Sequence, residues 1–141
     1  MSTAMKPAVG ATAPVLVQKL IEYLETTQIP EGLFADDVFS DVTLPTWRLQ
    51  ARGPAGLARI RAGGHPSPGR VLRVRYDPIP SGFVLEVEEE WDDAAGHWYC
   101  REFMRADVAA DRITQLTVYC TGDWDEAQLA RHAREVVLLR P

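Results

Sequence analysis

The second half of the chain, from Val71 onward, alternates apolar and polar residues, and this pattern limits the possible folds more than any other feature. Alternation with a period of two places the apolar side chains of a strand on one face. Three segments suited to hairpin turns, residues 78–81, 92–96 and 108–111, interrupt the alternation. The pattern therefore predicts four successive strands in an antiparallel meander, with one face that other elements must cover.

The predicted turns also define which residues pair across the strands. They set Arg73 opposite Glu86 and Glu88 opposite Arg101, so that opposite charges meet on one face. Such pairs contribute about 0.2–1 kcal/mol each, and this face can therefore tolerate water or a polar partner. The face predicted to form the core carries Leu72, Val74, Tyr76, Phe83, Leu85, Val87, Trp91, Trp98, Met104, Leu116 and Val118.

Shorter elements are predicted before and after the meander. Between Pro14 and Thr27, apolar residues recur at i, i+3, i+4 and i+7, which is the spacing of one helical face. Pro54 suits the first turn of a second helix, because its missing N–H costs nothing there. The other predicted features are strands over residues 38–44 and 47–52, helices over residues 54–62 and 124–136, and Asp123 as the N-cap of the last helix.

Length and composition indicate one globular domain. Of the 141 residues, 46% are hydrophobic and 25% are charged, as in globular rather than disordered proteins. We expect residues 1–13 to form a flexible segment and residues 14–141 a single domain. The net charge of −5 argues against nucleic acid as a partner. The sequence has no apolar run of the length that a secretory signal or a membrane span needs, so we expect no membrane partner and a cytoplasmic location.

The order of elements resembles a known superfamily. Residues 33–37 (LFADD) lead into a strand, a helix follows at Gly53-Pro54, and long strands contain residues 88–91 (EEEW) and 99–105 (YCREFMR). Over roughly residues 14–135 this order resembles the nuclear transport factor 2-like superfamily, which includes SnoaL-like polyketide cyclases and ketosteroid isomerase-like proteins.

That resemblance implies an α+β fold, a cone-shaped half-barrel whose curved antiparallel sheet is covered by N-terminal helices, with a C-terminal helix. A deep apolar pocket lies between the sheet and the helices. Members of the superfamily usually form homodimers through the outer face of the sheet. Because the fold hosts many activities, function must be argued from the pocket.

Glu102 is the strongest candidate for chemistry. It alternates with Cys100 and Met104 on the apolar face, where a carboxyl is expected to be neutral or paired. Such a site raises the pKa of a carboxyl until it can act as a general acid or base at neutral pH. The resemblance implies an acid on this strand, three residues before an arginine such as Arg105, that donates to a developing oxyanion. The alternative is a buried carboxyl without a catalytic role.

The resemblance implies two further catalytic candidates. A general base lies in the first strand of isomerase-like proteins, at Asp41 or one residue beyond, at Val42. A slip of one residue reverses the face, so Asp41 could instead be a solvated edge residue. Tyr23, beside Leu20 and Leu24 on the first helix, corresponds to a phenolic donor, and the alternative is a tyrosine at the edge of the core.

The remaining predicted site residues would contact a ligand. His65 lies in a Gly/Pro-rich loop over residues 63–69 that could form a rim or lid, and the indole of Trp47 suits a pocket entrance. We expect no metal site, because no His or carboxylate pattern with ligand spacing accompanies His65. Cys100 and Cys120 are expected to be reduced thiols. The predicted ligand-binding residues are Trp47, His65, Tyr76, Val87, Met104 and Val118.

These features predict a protein that binds a small hydrophobic molecule. The first hypothesis is proton-transfer catalysis without a cofactor, as in an isomerase, cyclase or dehydratase, with Glu102 and Asp41 as acid and base and Tyr23 as a supporting donor. The second is a non-catalytic ligand-binding or structural homodimer with the same fold.

Overall fold

The computed structural model describes residues 8–141. Within that range the elements are α1 (Ala8–Thr26), β1 (Phe34–Leu44), β2 (Trp47–Arg52), α2 (Pro54–Gly64), β3 (Gly69–Ile79), β4 (Gly82–Asp93), β5 (Gly96–Ala109), β6 (Arg112–Cys120) and α3 (Glu126–Glu135). Of the predicted flexible segment over residues 1–13, residues 1–7 lie outside the described range. The rest belongs to α1, which begins before Pro14, because a proline removes one N–H from a helix without defining its start.

The six strands form one sheet in the order β2-β1-β6-β5-β4-β3, and the α+β fold is the predicted one. The meander β3 to β6 is antiparallel throughout, as the alternation predicted. One pairing differs from the predicted antiparallel sheet, because β1 lies parallel to β6. No hairpin joins these two strands, so no local signal in the sequence sets their relative direction.

The β4–β5 register is the predicted one, with Glu88 opposite Arg101. The β3–β4 register is shifted, because the hairpin turns at residues 80–81, one position later than predicted. Arg73 therefore faces Glu88 rather than Glu86. The shift leaves the charged pairs on the same face of the sheet.

The hydrophobic core lies between the inner face of the sheet and α1. Its fully buried members include Leu16, Leu20, Leu33, Val38, Phe83, Leu85, Val87, Met104, Ala106 and Ile113. The predicted core position is wrong for two residues, because Leu72 and Val74 are 45% and 46% exposed. Both lie on the edge strand β3, beside a bulge between Val71 and Arg73 that interrupts the alternation.

The last helix begins later than predicted. Its N-cap is Asp125 rather than Asp123, and the Asp125 side chain accepts a hydrogen bond from the backbone N–H of Gln128. The chain stays extended up to Trp124, which pairs with Tyr99 of β5 through two backbone hydrogen bonds and so delays the helix. No helix within residues 8–141 has the length and apolarity needed to cross a membrane.

Candidate functional site

A cavity of about 100 Å³ lies between the inner face of the sheet and helices α1 and α2. Most of its wall is apolar, formed by Leu20, Leu24, Val42, Leu44, Leu57, Ile60, Met104, Leu116 and Val118. The polar or small lining residues are Tyr23, Arg61, Gly64, His65, Glu102, Cys120 and Asp123. A mostly apolar wall with a few convergent polar groups is typical of a small-molecule site.

A buried ion pair supports the polar part of the wall. The Arg61 side chain on α2 is 9% exposed, and its Nη2 donates to Glu89 Oε1 at 2.6 Å and to the backbone carbonyl of Leu24 at 2.8 Å. Sequence analysis did not single out either partner. The signal for Glu89 was present, because it shares its strand face with Val87 and Trp91. Glu89 is the middle residue of an acidic run, and strand alternation directs its side chain towards the core.

Glu102 and Glu89 share one proton. Burial raises the pKa of Glu102 well above its usual range, and the neighbouring Glu89 carboxylate raises it further. Burial alone would also raise the pKa of Glu89, but the hydrogen bond from Glu102 and the charge of Arg61 hold it below its usual range. The proton therefore resides on Glu102, which donates to the ionised Glu89.

His65 is buried rather than a solvent-exposed rim residue. It follows α2 directly, and its ring stacks on Trp91 with ring centroids 4.3 Å apart and an interplanar angle of 20°. Its Nε2 lies 3.3 Å from Arg61 Nη1, and because guanidinium only donates, Nε2 is the acceptor. Burial, and then the charge of Arg61, lower the pKa of His65 to about 4. The imidazole is therefore neutral at physiological pH.

We expect His65 to make stability fall as the pH drops from about 6.5 to about 4. In that window the unfolded chain protonates His65 whereas the folded chain does not, so acid favours the unfolded state by roughly 2–3 kcal/mol at the lower limit. Urea unfolding at several pH values measures this slope. His65→Phe keeps a ring against Trp91 without a titrating nitrogen. If the stability of this variant fell with pH as steeply as that of the wild type, the pH dependence would not come from His65.

Two buried oxygens at the cavity lack hydrogen-bond partners among the described residues. They are Tyr23 Oη and Glu102 Oε1, which belong to residues that are 2% and 7% exposed. Burial raises the pKa of Tyr23, so its phenol stays neutral. An unsatisfied buried polar group costs about 1–3 kcal/mol, which is a reason to look for a ligand that pairs with it.

The cavity also brings two groups of possible metal ligands together. His65, Glu89, Cys100 and Glu102 place one ligand atom each within 4.8 Å of one another, although the sequence showed no ligand spacing around His65. Arg61 already supplies a cation to this group. Cys100, Cys120 and Asp123 form the second group. Two sulfurs and a carboxylate are donors that suit zinc.

Five of the predicted site residues lie together in the cavity wall: Tyr23, His65, Glu102, Met104 and Val118. Asp41 does not. Its carboxylate forms a salt bridge of 2.6 Å with Arg48 of β2, and the next residue, Val42, lines the cavity instead. A register shift between Phe34 and Phe39 in the β1–β6 pairing fixes which of the two faces inward.

Three predicted ligand contacts also lie outside the cavity wall. Trp47 is 67% exposed at the start of β2, so it does not form the entrance. Tyr76 packs on Phe83, with ring centroids 5.9 Å apart, towards the β3 edge. Val87 is buried in the core, so its inward direction is as predicted, but it does not line the cavity as predicted. On the outer face Phe103 and Tyr119 are exposed, and the homodimer stays a prediction.

Comparisons with known proteins place this geometry among solved folds. No protein-family model matches the sequence, and no curated protein matches it. An NTF2-like protein from Anabaena variabilis superposes with a TM-score of 0.67 at 13% identity, covering 80% of this chain and 89% of that one. A phenazine biosynthesis-related protein from Pseudomonas aeruginosa gives 0.66 at 14%, covering 100% and 91%.

A third similar structure is an LEH-like epoxide hydrolase from M. tuberculosis, with a TM-score of 0.57 at 15% identity over 78% of this chain and 83% of that one. Identities this low establish a shared fold and leave the activity open. The resemblance seen in the order of elements is confirmed at that level. This chain has the fold of the nuclear transport factor 2-like superfamily.

Proposed function

We propose that the cavity binds a small, neutral molecule with a hydrogen-bond-accepting oxygen and catalyses proton transfer on it, with Glu102 as the general acid. The observation that carries this proposal is the pair of unpartnered oxygens, Tyr23 Oη and Glu102 Oε1, on two side chains that line one apolar cavity. The phenol O–H is a donor, and the protonated carboxyl becomes a second donor when its O–H turns from Glu89 to the ligand. Together they suit a carbonyl or epoxide oxygen, which gains negative charge during reaction.

The buried ion pair gives Glu102 its chemical role. Glu89, held ionised by Arg61, opposes a second negative charge beside it, so Glu102 keeps its proton until a substrate oxygen becomes basic. Once Glu102 has donated, its carboxylate lies next to Glu89 and readily takes a proton back. In an isomerisation Asp123, another carboxyl in the cavity wall, would accept the carbon-bound proton while Glu102 donates to the oxygen, and both groups regain their starting state when the protons return.

Size and charge narrow the ligand class. An apolar cavity of about 150 Å³ accommodates benzene, and this cavity is about 100 Å³, so the ligand has only a few heavy atoms. The charges of Arg61 and Glu89 cancel, and Glu102 and His65 are neutral. An anionic ligand would therefore find no uncompensated positive charge among these four groups.

Proteins of the same fold lend support to a small-molecule site. The relatives by structure include the epoxide hydrolase and two proteins proposed to be polyketide cyclases, from Xanthomonas campestris and Pseudomonas putida. Their TM-scores for this chain are 0.57, 0.58 and 0.57. Glu102 and its neighbours indicate the reaction, since fold alone does not determine it.

A matched series of five-membered rings tests the proposal. We expect cyclopentanone and cyclopentene oxide to raise the melting temperature, and cyclopentane and cyclopentanecarboxylate to leave it unchanged. A ligand at a hundredfold excess over its dissociation constant adds about 2.7 kcal/mol of stability. Tyr23→Phe removes one donor and should weaken the shift.

Proton transfer itself is measured by NMR as deuterium uptake at the α-carbon of cyclopentanone in D₂O. Enzyme-dependent uptake supports catalysis. Binding without uptake would favour the non-catalytic ligand-binding function, and equal stabilisation by cyclopentane would contradict the role of the two donors.

A further inference from the structure

A thiol and a carboxyl stand side by side in the cavity wall. Cys120 of β6 is the direct cross-strand partner of Glu102 on β5, and both residues line the cavity. The Cβ atoms of directly opposed residues in an antiparallel pair are about 4.5–5.5 Å apart. Glu102 is 7% exposed, and its Oε1 has no partner among the described residues. One small ligand can therefore contact the sulfur and the unpartnered oxygen together.

The surroundings of Cys120 favour its thiolate. Its Sγ accepts a hydrogen bond from the backbone N–H of Gly122 at 3.4 Å and another from the Cys100 thiol. Cys120 lines the cavity, whereas Cys100 is fully buried and does not line it. A ligand in the cavity therefore meets the sulfur of Cys120, which is the nucleophile.

A base for the thiol proton lies nearby. Asp123 places a carboxylate oxygen within 4.8 Å of the sulfurs of Cys100 and Cys120, and it lines the same cavity. A carboxylate at this position can accept the thiol proton when the sulfur attacks.

We propose that Cys120 is a covalent attachment site for small α,β-unsaturated carbonyl compounds, with Glu102 binding the carbonyl oxygen. In such a compound the oxygen and the β-carbon are three bonds apart, which suits two neighbouring groups on adjacent strands. The ligand is neutral and mostly apolar, as the cavity wall requires. The attachment site itself does not depend on the proposed function, whereas the role of Glu102 in it does.

The addition balances without an oxidant or a leaving group. Asp123 accepts the thiol proton, and the sulfur electron pair forms a bond to the β-carbon. The π electrons of the C=C bond shift to give an enolate, whose oxygen accepts a hydrogen bond from the Glu102 O–H as this turns away from Glu89. The α-carbon then takes a proton back from Asp123. The net change is addition of S–H across the double bond, and Glu102 ends the step still protonated.

Intact-mass measurement with two thiol reagents tests the site on the native chain. Methyl vinyl ketone and iodoacetamide are each added at pH 7.5 with a chelator present, so that no metal occupies the sulfurs. We expect a single adduct with both reagents, mapped to Cys120 by peptide analysis. Cys120→Ser should abolish it, whereas Cys100→Ser, which keeps an O–H donor, should retain it. An adduct on Cys100, or labelling of Cys120 only in denaturant, would overturn the proposal.

Glu102→Gln separates this inference from the proposed function. The change replaces one neutral group by another, and iodoacetamide, which has no conjugated double bond to activate, serves to normalise the rate of methyl vinyl ketone in each protein. Relative to iodoacetamide, methyl vinyl ketone should react at least about tenfold more slowly in the variant, because an amide N–H is a weaker donor to the enolate oxygen than a carboxyl O–H. An unchanged ratio of the two rates would disprove the donor role of Glu102 and leave the attachment site standing. If iodoacetamide does not label Cys120 in the wild-type protein, Cys120 is not an attachment site, whatever the series of five-membered rings shows.

Discussion

Replacing Arg61 by methionine is expected to lower the free energy of unfolding by about 3–5 kcal/mol, because the change leaves the buried Glu89 carboxylate without its cation. Both side chains of the pair are almost inaccessible, with exposed fractions of 9% and 4%. Urea denaturation followed by circular dichroism measures the loss.

An exposed pair in the same sheet provides the matched control. Arg101 and Glu86 are also bonded across strands, at 3.4 Å, but they are 50% and 43% exposed. Arg101→Met should therefore cost less than about 1 kcal/mol. The double variant Arg61→Met/Glu89→Leu should recover most of the stability, because apolar replacement of both partners removes the uncompensated charge. If Arg61→Met proved as mild as Arg101→Met, the pair would not be buried as described.

The fold was predictable to the extent that local patterns specify it. Alternation and hairpin turns fixed the meander, and the predicted pairing of Glu88 with Arg101 is confirmed. The parallel pairing of β1 with β6 depends on contacts between residues about 75 positions apart, such as Val42 with Val118, and no local signal encodes them. The predicted β3–β4 register is wrong because the hairpin turn is displaced by one residue.

The site was predictable only where one residue broke a strong pattern. A carboxyl at position 102 interrupts an apolar strand face, so Glu102 stood out, and the structure buries it in the cavity wall. Glu89 belongs to a run of three glutamates, which resembles an exposed acidic edge unless the strand phase is followed residue by residue. Arg61, near the end of α2, looks like an ordinary solvated charge at a helix C-terminus. The ion pair appears only when the fold places α2 so that the Arg61 side chain reaches Glu89 of β4.

Asp41 illustrates a different error, because the predicted residue is one position away from the residue that faces the cavity. The irregularity between Phe34 and Phe39 changes which residues of β1 point inward, and sequence alone does not reveal a bulge. Arg48 then compensates the charge of Asp41 on the outer face. A base for the proposed proton transfer would therefore come from another element, and Asp123 is a carboxyl in the cavity wall.

Replacing Glu102 by glutamine should leave the fold intact and reduce the rate of deuterium uptake into cyclopentanone by about 10²–10⁴-fold. Glutamine keeps the length of the side chain and an N–H that can donate to Glu89, so the hydrogen bond at the ion pair persists. It cannot give up and recover a proton, so the catalytic step fails. NMR rates and melting temperatures of the same samples separate the two effects.

The melting temperature decides how Glu102 is charged in the folded protein. A neutral acid predicts a nearly unchanged value, as for the control Glu86→Gln on the outer face of β4, where the side chain is 43% exposed. If Glu102 were instead ionised and paired, the same change would leave its partner uncompensated and cost about 3–5 kcal/mol. Such a loss would contradict the shared proton, because Glu89 already neutralises Arg61 and a second carboxylate there would need another cation. A stable variant with undiminished deuterium uptake would instead exclude Glu102 as the acid.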